Sequence, residues 1–334
     1  MPIQFPPSPA LNQEYTYEGK VWAWDGSSWV GVRQQTGILS STIWAKQSLL
    51  IPKRGFGLNS GYNATTDQRR TKAGTIPMLK HNIERDLGQF EFSTFDADAV
   101  AYITAVETAD TQALEGAVTT AINDFVVGCK ADGIWNAMKA TCILAGARTL
   151  TGALVPLKGT APTNANFVSG DYNRKTGLVG DGSTKYLDSN RAENVDPQNS
   201  IHTVVYLTTA TPAGRFSIFG ADNGNATGFY GDIVYTRSGT PSSGGVSLNG
   251  FAGLSRSGAT TTAFIRNGVA GTLTTASNGS NTSTTFNLFR SPSYTGVYYS
   301  SGRMAFYSIG EAIDLTLFNT RVTNLINAYA AAIA

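Results

Sequence analysis

Residues 261–314 read TTAFIRNGVAGTLTTASNGSNTSTTFNLFRSPSYTGVYYSSGRMAFYSIGEAID, and the fold turns on how they pair. Phe264 and Arg266 run into Asn267-Gly268, the dipeptide that accepts the positive φ of a type I′ hairpin turn. Val269 to Thr274 is the expected return strand. A Ser/Asn/Gly loop follows, then Phe286-Asn287-Leu288-Phe289 and a tyrosine-rich loop. Gly302 to Ile309 alternates well enough for a strand with one buried face. Asp314 is placed to cap a short helix carrying Leu317, Phe318, Val322, Leu325, Ile326 and Tyr329.

The composition agrees with an all-β core. Of the 334 residues only 14% are charged, and there are 36 glycines. Low charge with many turn formers favours strands joined by polar, uncharged loops. A formal net charge of +2 argues against a nucleic-acid binder, which needs a concentrated basic face. Lys53-Arg54 and Arg69-Arg70-Thr71-Lys72 are the basic clusters, and they read as a solvated or subunit-contacting loop. Cys129 and Cys142 lie in apolar surroundings and read as small buried residues rather than a disulfide framework. No signal peptide and no bilayer-length apolar run is visible, so the expected product is soluble and made in the cytosol.

The chain divides into four expected parts, the last of which contains the hairpin region. Residues 1–38 hold a proline-rich arm and a small aromatic β-unit, with Tyr15-Thr16-Tyr17, Val21-Trp22-Ala23-Trp24 and Trp29-Val30 as its strands. Trp22, Trp24 and Trp29 either stack on a sugar or partner protein or are needed for the unit's own core. Residues 39–95 are irregular, with His81 and a long Gly/Asn loop, and are expected to contact other subunits. Residues 96–139 are helical: Asp96 caps a stripe at 99, 100, 103 and 106, and Leu114, Val118, Ile122, Phe125 and Val126 make a second. A third short helix is expected from Asp132-Gly133 to Met138. Residues 140–334 give short strands between turn signals, the pattern of a two-layer antiparallel sandwich with the final helix on its edge or end.

The order of elements from 261 onward resembles the end of a concanavalin A-like (laminin-G-like) jelly-roll domain. FVSGDYNRKTGLVGDGSTKYLD, residues 167–188, resembles that family's opening strand, where a Gly-Asp-Gly-Ser turn precedes an aromatic. Together with PPSPALNQEYTYEGKVWAWDGSSWV, residues 6–30, the chain is also similar to phage virion proteins, particularly tail-fibre and appendage subunits. This resemblance implies a virion component made in the host cytoplasm, attached to other virion proteins through its N-terminal region. It also implies a homotrimer and a sandwich that meets glycans on the host surface.

Catalytic chemistry is not visible. There is no nucleophile elbow, no His-x-x-x-His and no phosphate-binding glycine loop. The jelly-roll glycosidases carry a Glu-x-Asp-x-x-Glu strand that aims carboxylates at one substrate, and no such strand occurs here. Glu311 has only Asp314 nearby, which serves better as a helix cap, and His202 reads as a packed strand residue. The expectation is therefore no enzyme and no cofactor. Candidate glycan contacts are Asp222, Asn223 and Asn225 in an oxygen-rich loop, which could equally hold Ca²⁺ or its own backbone. Tyr294, Tyr298 and Tyr299 are the candidate stacking rings, beside Arg290. A decoration or cement subunit that binds no glycan, and more weakly a glycan-degrading enzyme, remain the alternative functions.

Overall fold

A computed structural model describes residues 14–17, 20–24, 28–32, 95–213, 215–220, 226–238, 246–278, 283–291 and 298–333. The proline-rich arm, both basic clusters, His81, the 55–73 loop, Asp222, Asn223, Asn225 and Tyr294 lie outside them. The chain divides into two compact units, Met1–Phe92 and Ser93–Ala334.

In the first unit β1 (Glu14–Tyr17), β2 (Lys20–Trp24) and β3 (Trp29–Val32) form an antiparallel meander. Trp24 lies opposite Trp29, and their rings sit 5.7 Å apart. Two of the three tryptophans therefore pack on one another, as cross-strand aromatics do. The Trp22 side chain lies outside the described residues.

The second unit begins with α1 (Ala97–Asp110) and α2 (Gly116–Ala131). Strands β4 (Met138–Ile143), β5 (Pro156–Lys158), β6 (Thr163–Ala165), β7 (Tyr172–Asn173), β8 (Gly177–Val179) and β9 (Tyr186–Ala192) follow, with a single turn, α3 (Leu150–Ala153), after β4. Next come β10 (Ile201–Thr211), β11 (Phe216–Gly220), β12 (Thr227–Tyr230), β13 (Ile233–Thr236) and β14 (Leu248–Arg256). The chain closes with β15 (Thr261–Arg266), β16 (Val269–Thr274), β17 (Thr285–Leu288), β18 (Arg303–Gly310) and α4 (Leu315–Ala332).

Among the described residues a nine-stranded sheet runs β16-β15-β14-β10-β18-β4-β5, with β8 on β18 and β7 on β8. A six-stranded sheet runs β13-β12-β11-β17-β9-β6. The chain is mainly β, an antiparallel jelly-roll sandwich preceded by a helical segment. One core lies between the sheets, with Leu187, Val205, Ile218, Phe229, Phe286, Leu288 and Tyr307. Asn267 (φ 49) and Gly268 (φ 74) form the expected left-handed turn between β15 and β16.

A second core lies on the outer face of the larger sheet, where α1, α2 and α4 cover Ile143, Val204, Phe251, Ala305 and Phe306. The final helix packs on this face rather than at the edge or end, so the unit has three layers, not two. Phe318 is the centre of the contact, with Phe306 5.8 Å and Phe125 and Phe251 each 6.4 Å away. Burying each such ring contributes about 1.5–3 kcal/mol. A bulge where β18 meets β10 lets Ala305 and Phe306 both face the helices. The strand from Gly302 is thus buried on both faces, not one.

Caps set the helix boundaries. Asp96 accepts the Asp98 N–H at 2.9 Å, and Asp314 accepts those of Thr316 and Leu317 at 2.8 and 3.0 Å. The stripes hold except at Val100 and Leu317, which are exposed. Gly128 lies near the end of α2, in its last turn. A Cβ there would come within 2.7 Å of the Arg321 guanidinium, which crosses it to reach Asp132 at 2.7 and 2.9 Å. The expected third helix is one 3-10 turn, Trp135–Ala137, because Met138 already pairs in β4. Phe229 to Arg237 is a hairpin and not one strand, turned at Gly231 (φ 54).

His202 is fully buried, with Nδ1 2.5 Å from the Glu311 carbonyl and Nε2 2.9 Å from the Ser308 hydroxyl. Burial pushes its pKa down to about 4, so it is a neutral packing residue. Cys129 and Cys142 are free and buried. Burial pushes the Cys129 thiol up to about 12 and the Cys142 thiol higher still.

Candidate functional site

The six-stranded sheet has one face in the core and one turned away from it. Val234, Phe229, Ile218, Leu288 and Leu187 point inward. Alternation therefore turns Tyr186 and Asp188 on β9, Asn287 on β17, Tyr230 on β12 and Tyr235 on β13 outward. Register aligns them across strands: Asp188 is opposite Asn287, and Gly228 is opposite Tyr235.

At one end of this face several rings gather. Phe289 takes a left-handed φ of 64°, which breaks the alternation after β17. Arg290 then places its guanidinium 3.9 Å above the Tyr186 ring. Arg290 also bridges the backbone of Tyr299, whose ring lies 6.4 Å from that of Tyr186. Tyr298 is 36% exposed and meets Tyr230 edge-on at 6.3 Å. Burial raises the pKa of Tyr235. Flat rings beside an amide and a guanidinium suit a hydroxylated ring, whose apolar face stacks while its hydroxyls bond sideways.

The structure brings Tyr298 and Tyr299 to this end. Asp222, Asn223, Asn225 and Tyr294 lie outside the described residues. The strands that flank the first three stop at Gly220 and restart at Thr227, which pair with each other at the opposite end of the sheet. Sequence reading missed Tyr186, Tyr230 and Asn287. Tyr186 follows the Gly-Asp-Gly-Ser turn and was legible as an aromatic, but its partner Arg290 is distant in sequence.

That opposite end is filled by charge. Glu193, Arg237 and Arg256 are all fully buried. Thr227 donates to Glu193 at 2.6 Å, and Arg237 donates to the Pro197 carbonyl at 2.6 Å and to the carbonyl of Glu193. Arg256 donates to the carbonyls of Thr236, Gly258, Ala259 and Thr275 and to the Thr236 hydroxyl. Arg191 forms a bidentate pair with Asp196 at 2.8 and 2.5 Å. Elsewhere Glu311 pairs with Lys139 at 2.9 Å, leaving Asp314 to its cap. Among the described residues no three His, Cys, Asp or Glu side chains gather as a metal site.

No family model matches the chain, and no curated protein matches it. Among solved structures it is similar to domain 4 of AbnA, a GH43 extracellular arabinanase from Geobacillus stearothermophilus, in complex with arabinotriose. The identity is 14% over 51% of this chain and 82% of that one, with a TM-score of 0.27. It is also similar to the Trypanosoma rangeli sialidase in complex with 2,3-difluorosialic acid, at 11% identity over 63% of this chain and 39% of that one, with a TM-score of 0.29. Scores this low carry no assignment, and the site is read from this chain's own residues.

Proposed function

We propose that the sandwich is a non-enzymatic glycan-binding module and that the chain is a phage virion appendage subunit used in adsorption to the host. The observation that carries the binding reading is the group of Tyr186, Tyr230, Tyr298, Tyr299 and Arg290 at one end of the six-stranded sheet. Non-enzymatic action is supported by the engagement of Glu311 and Asp314 in structural contacts. The virion reading rests on the resemblance of the N-terminal stretch. It assigns residues 1–95 to contacts with other virion proteins and expects a homotrimer, which light scattering checks; a monomer at micromolar concentration contradicts it.

A glycan array probed with the full chain tests the binding reading. Wild-type protein is expected to retain saccharides that a Tyr298→Ala/Tyr299→Ala double variant releases, with unchanged circular dichroism. Equal retention by both places recognition elsewhere. Retention of no saccharide favours the decoration subunit.

A further inference from the structure

The rings of the tyrosine end account for stacking and leave the polar half of the site open. Three unpaired polar atoms lie within five residues of the chain there. Asn287 Oδ1, Arg290 Nε and Ser291 Oγ are closed off from solvent and have no hydrogen-bond partner. Asn287 and Ser291 are each 3% exposed. The amide nitrogen of Asn287 is used, donating to the Thr285 carbonyl at 2.9 Å, so only its acceptor is idle. Folds rarely keep buried polar atoms unpaired, and a cluster of them beside exposed rings marks a place completed by something else.

Arg290 states what that something is. Its guanidinium sits 3.9 Å over the Tyr186 ring and, among the described residues, makes no ion pair. Three carboxylates on the segments around Tyr186 are engaged elsewhere: Asp171 with Lys185 at 2.6 Å, Asp188 with the Thr285 hydroxyl at 2.7 Å, and Asp181 with the amides of Ser183, Thr184 and Lys185. A stacked, unpaired guanidinium is preorganised for a carboxylate, which it grips through charge-assisted hydrogen bonds.

We infer that the site takes an acidic saccharide whose carboxylate is held by the Arg290 guanidinium while its ring stacks on the exposed tyrosines. This rests on the glycan-binding reading and narrows it.

Titration calorimetry of the full chain tests this with uronate- and sialate-terminated trisaccharides, each beside its methyl ester, with neutral trisaccharides and a heparin-derived tetrasaccharide. At least one acid is expected to bind ten-fold or more tightly than its own ester. Arg290→Gln is expected to erase that preference and Arg290→Lys to restore part of it. Neutral sugars or esters binding as tightly as the acids overturn the inference and leave the glycan reading standing. Preference for the sulfated tetrasaccharide, or an Arg290→Gln variant that still prefers acids, also overturns it. If no sugar of any kind binds, both fall.

Discussion

The two ends of the six-stranded sheet treat their arginines in opposite ways. Arg256 is fully buried and has five acceptors around it. Arg237, also fully buried, ties three backbone carbonyls together, and desolvation pushes its pKa down to about 10. Among the described residues Arg290 has a tyrosine face and no acceptor. A saturated guanidinium fastens loops, since every donor already holds a piece of backbone. An unsaturated one beside exposed rings is available to a ligand. The difference separates a guanidinium that fastens backbone from one that does not.

The comparison is broken most forcefully at the saturated end. Arg256→Met removes the guanidinium from the carbonyls of Thr236, Gly258, Ala259 and Thr275, of which Ala259 keeps the Ser277 N–H, and is expected to cost about 3–5 kcal/mol in urea denaturation. A cost below about 1 kcal/mol would show that water replaces the guanidinium there.

Acid gives the next effect. His202 has a folded pKa of about 4 against an ordinary 6.5, so the unfolded chain binds the extra proton between those values. Stability is therefore full above pH 6.5 and lost as pH falls toward 4, by on the order of 3 kcal/mol. His202→Gln should flatten that slope in pH-dependent denaturation; a slope unchanged in the variant assigns it to other groups.

Glu115 gives a smaller effect in a lower window. Its hydrogen bonds from Arg174 hold its pKa at about 2, below the ordinary 4.5. That contribution is present above pH 4.5 and lost as pH falls toward 2. The pair is about one-third exposed on the Glu115 side, so Glu115→Gln should cost below about 1 kcal/mol at neutral pH. At the tyrosine end, Arg290→Gln should change stability least of all, within about 0.5 kcal/mol, because its side chain gives up only the Tyr186 face.

Local signals were legible and long-range ones were not. Asn267-Gly268 announced its turn because the backbone conformation needs those two residue types. Asp96 and Asp314 announced helix starts because a cap acts within three residues. The helical stripes were readable, yet what they cover was not: nothing local says that Phe318 meets Phe125, Phe251 and Phe306 on a sheet face. Glu193, Arg237 and Arg256 look like ordinary solvated charges until register brings their loops together. Tyr298 and Tyr299 were recognisable as loop aromatics. Their companions Tyr186 and Tyr230 sit on strands whose outward face only the pairing reveals.

Hydrogen exchange of the full chain, with and without saturating amounts of the tightest saccharide from the array, tests the central claim most directly. Protection is predicted in segments spanning Tyr186, Asn287 to Ser291 and Tyr298-Tyr299, with Thr227, Arg237 and Arg256 unchanged. Protection confined to the Arg237 and Arg256 end, or to the strands bearing Trp24 and Trp29, would contradict it.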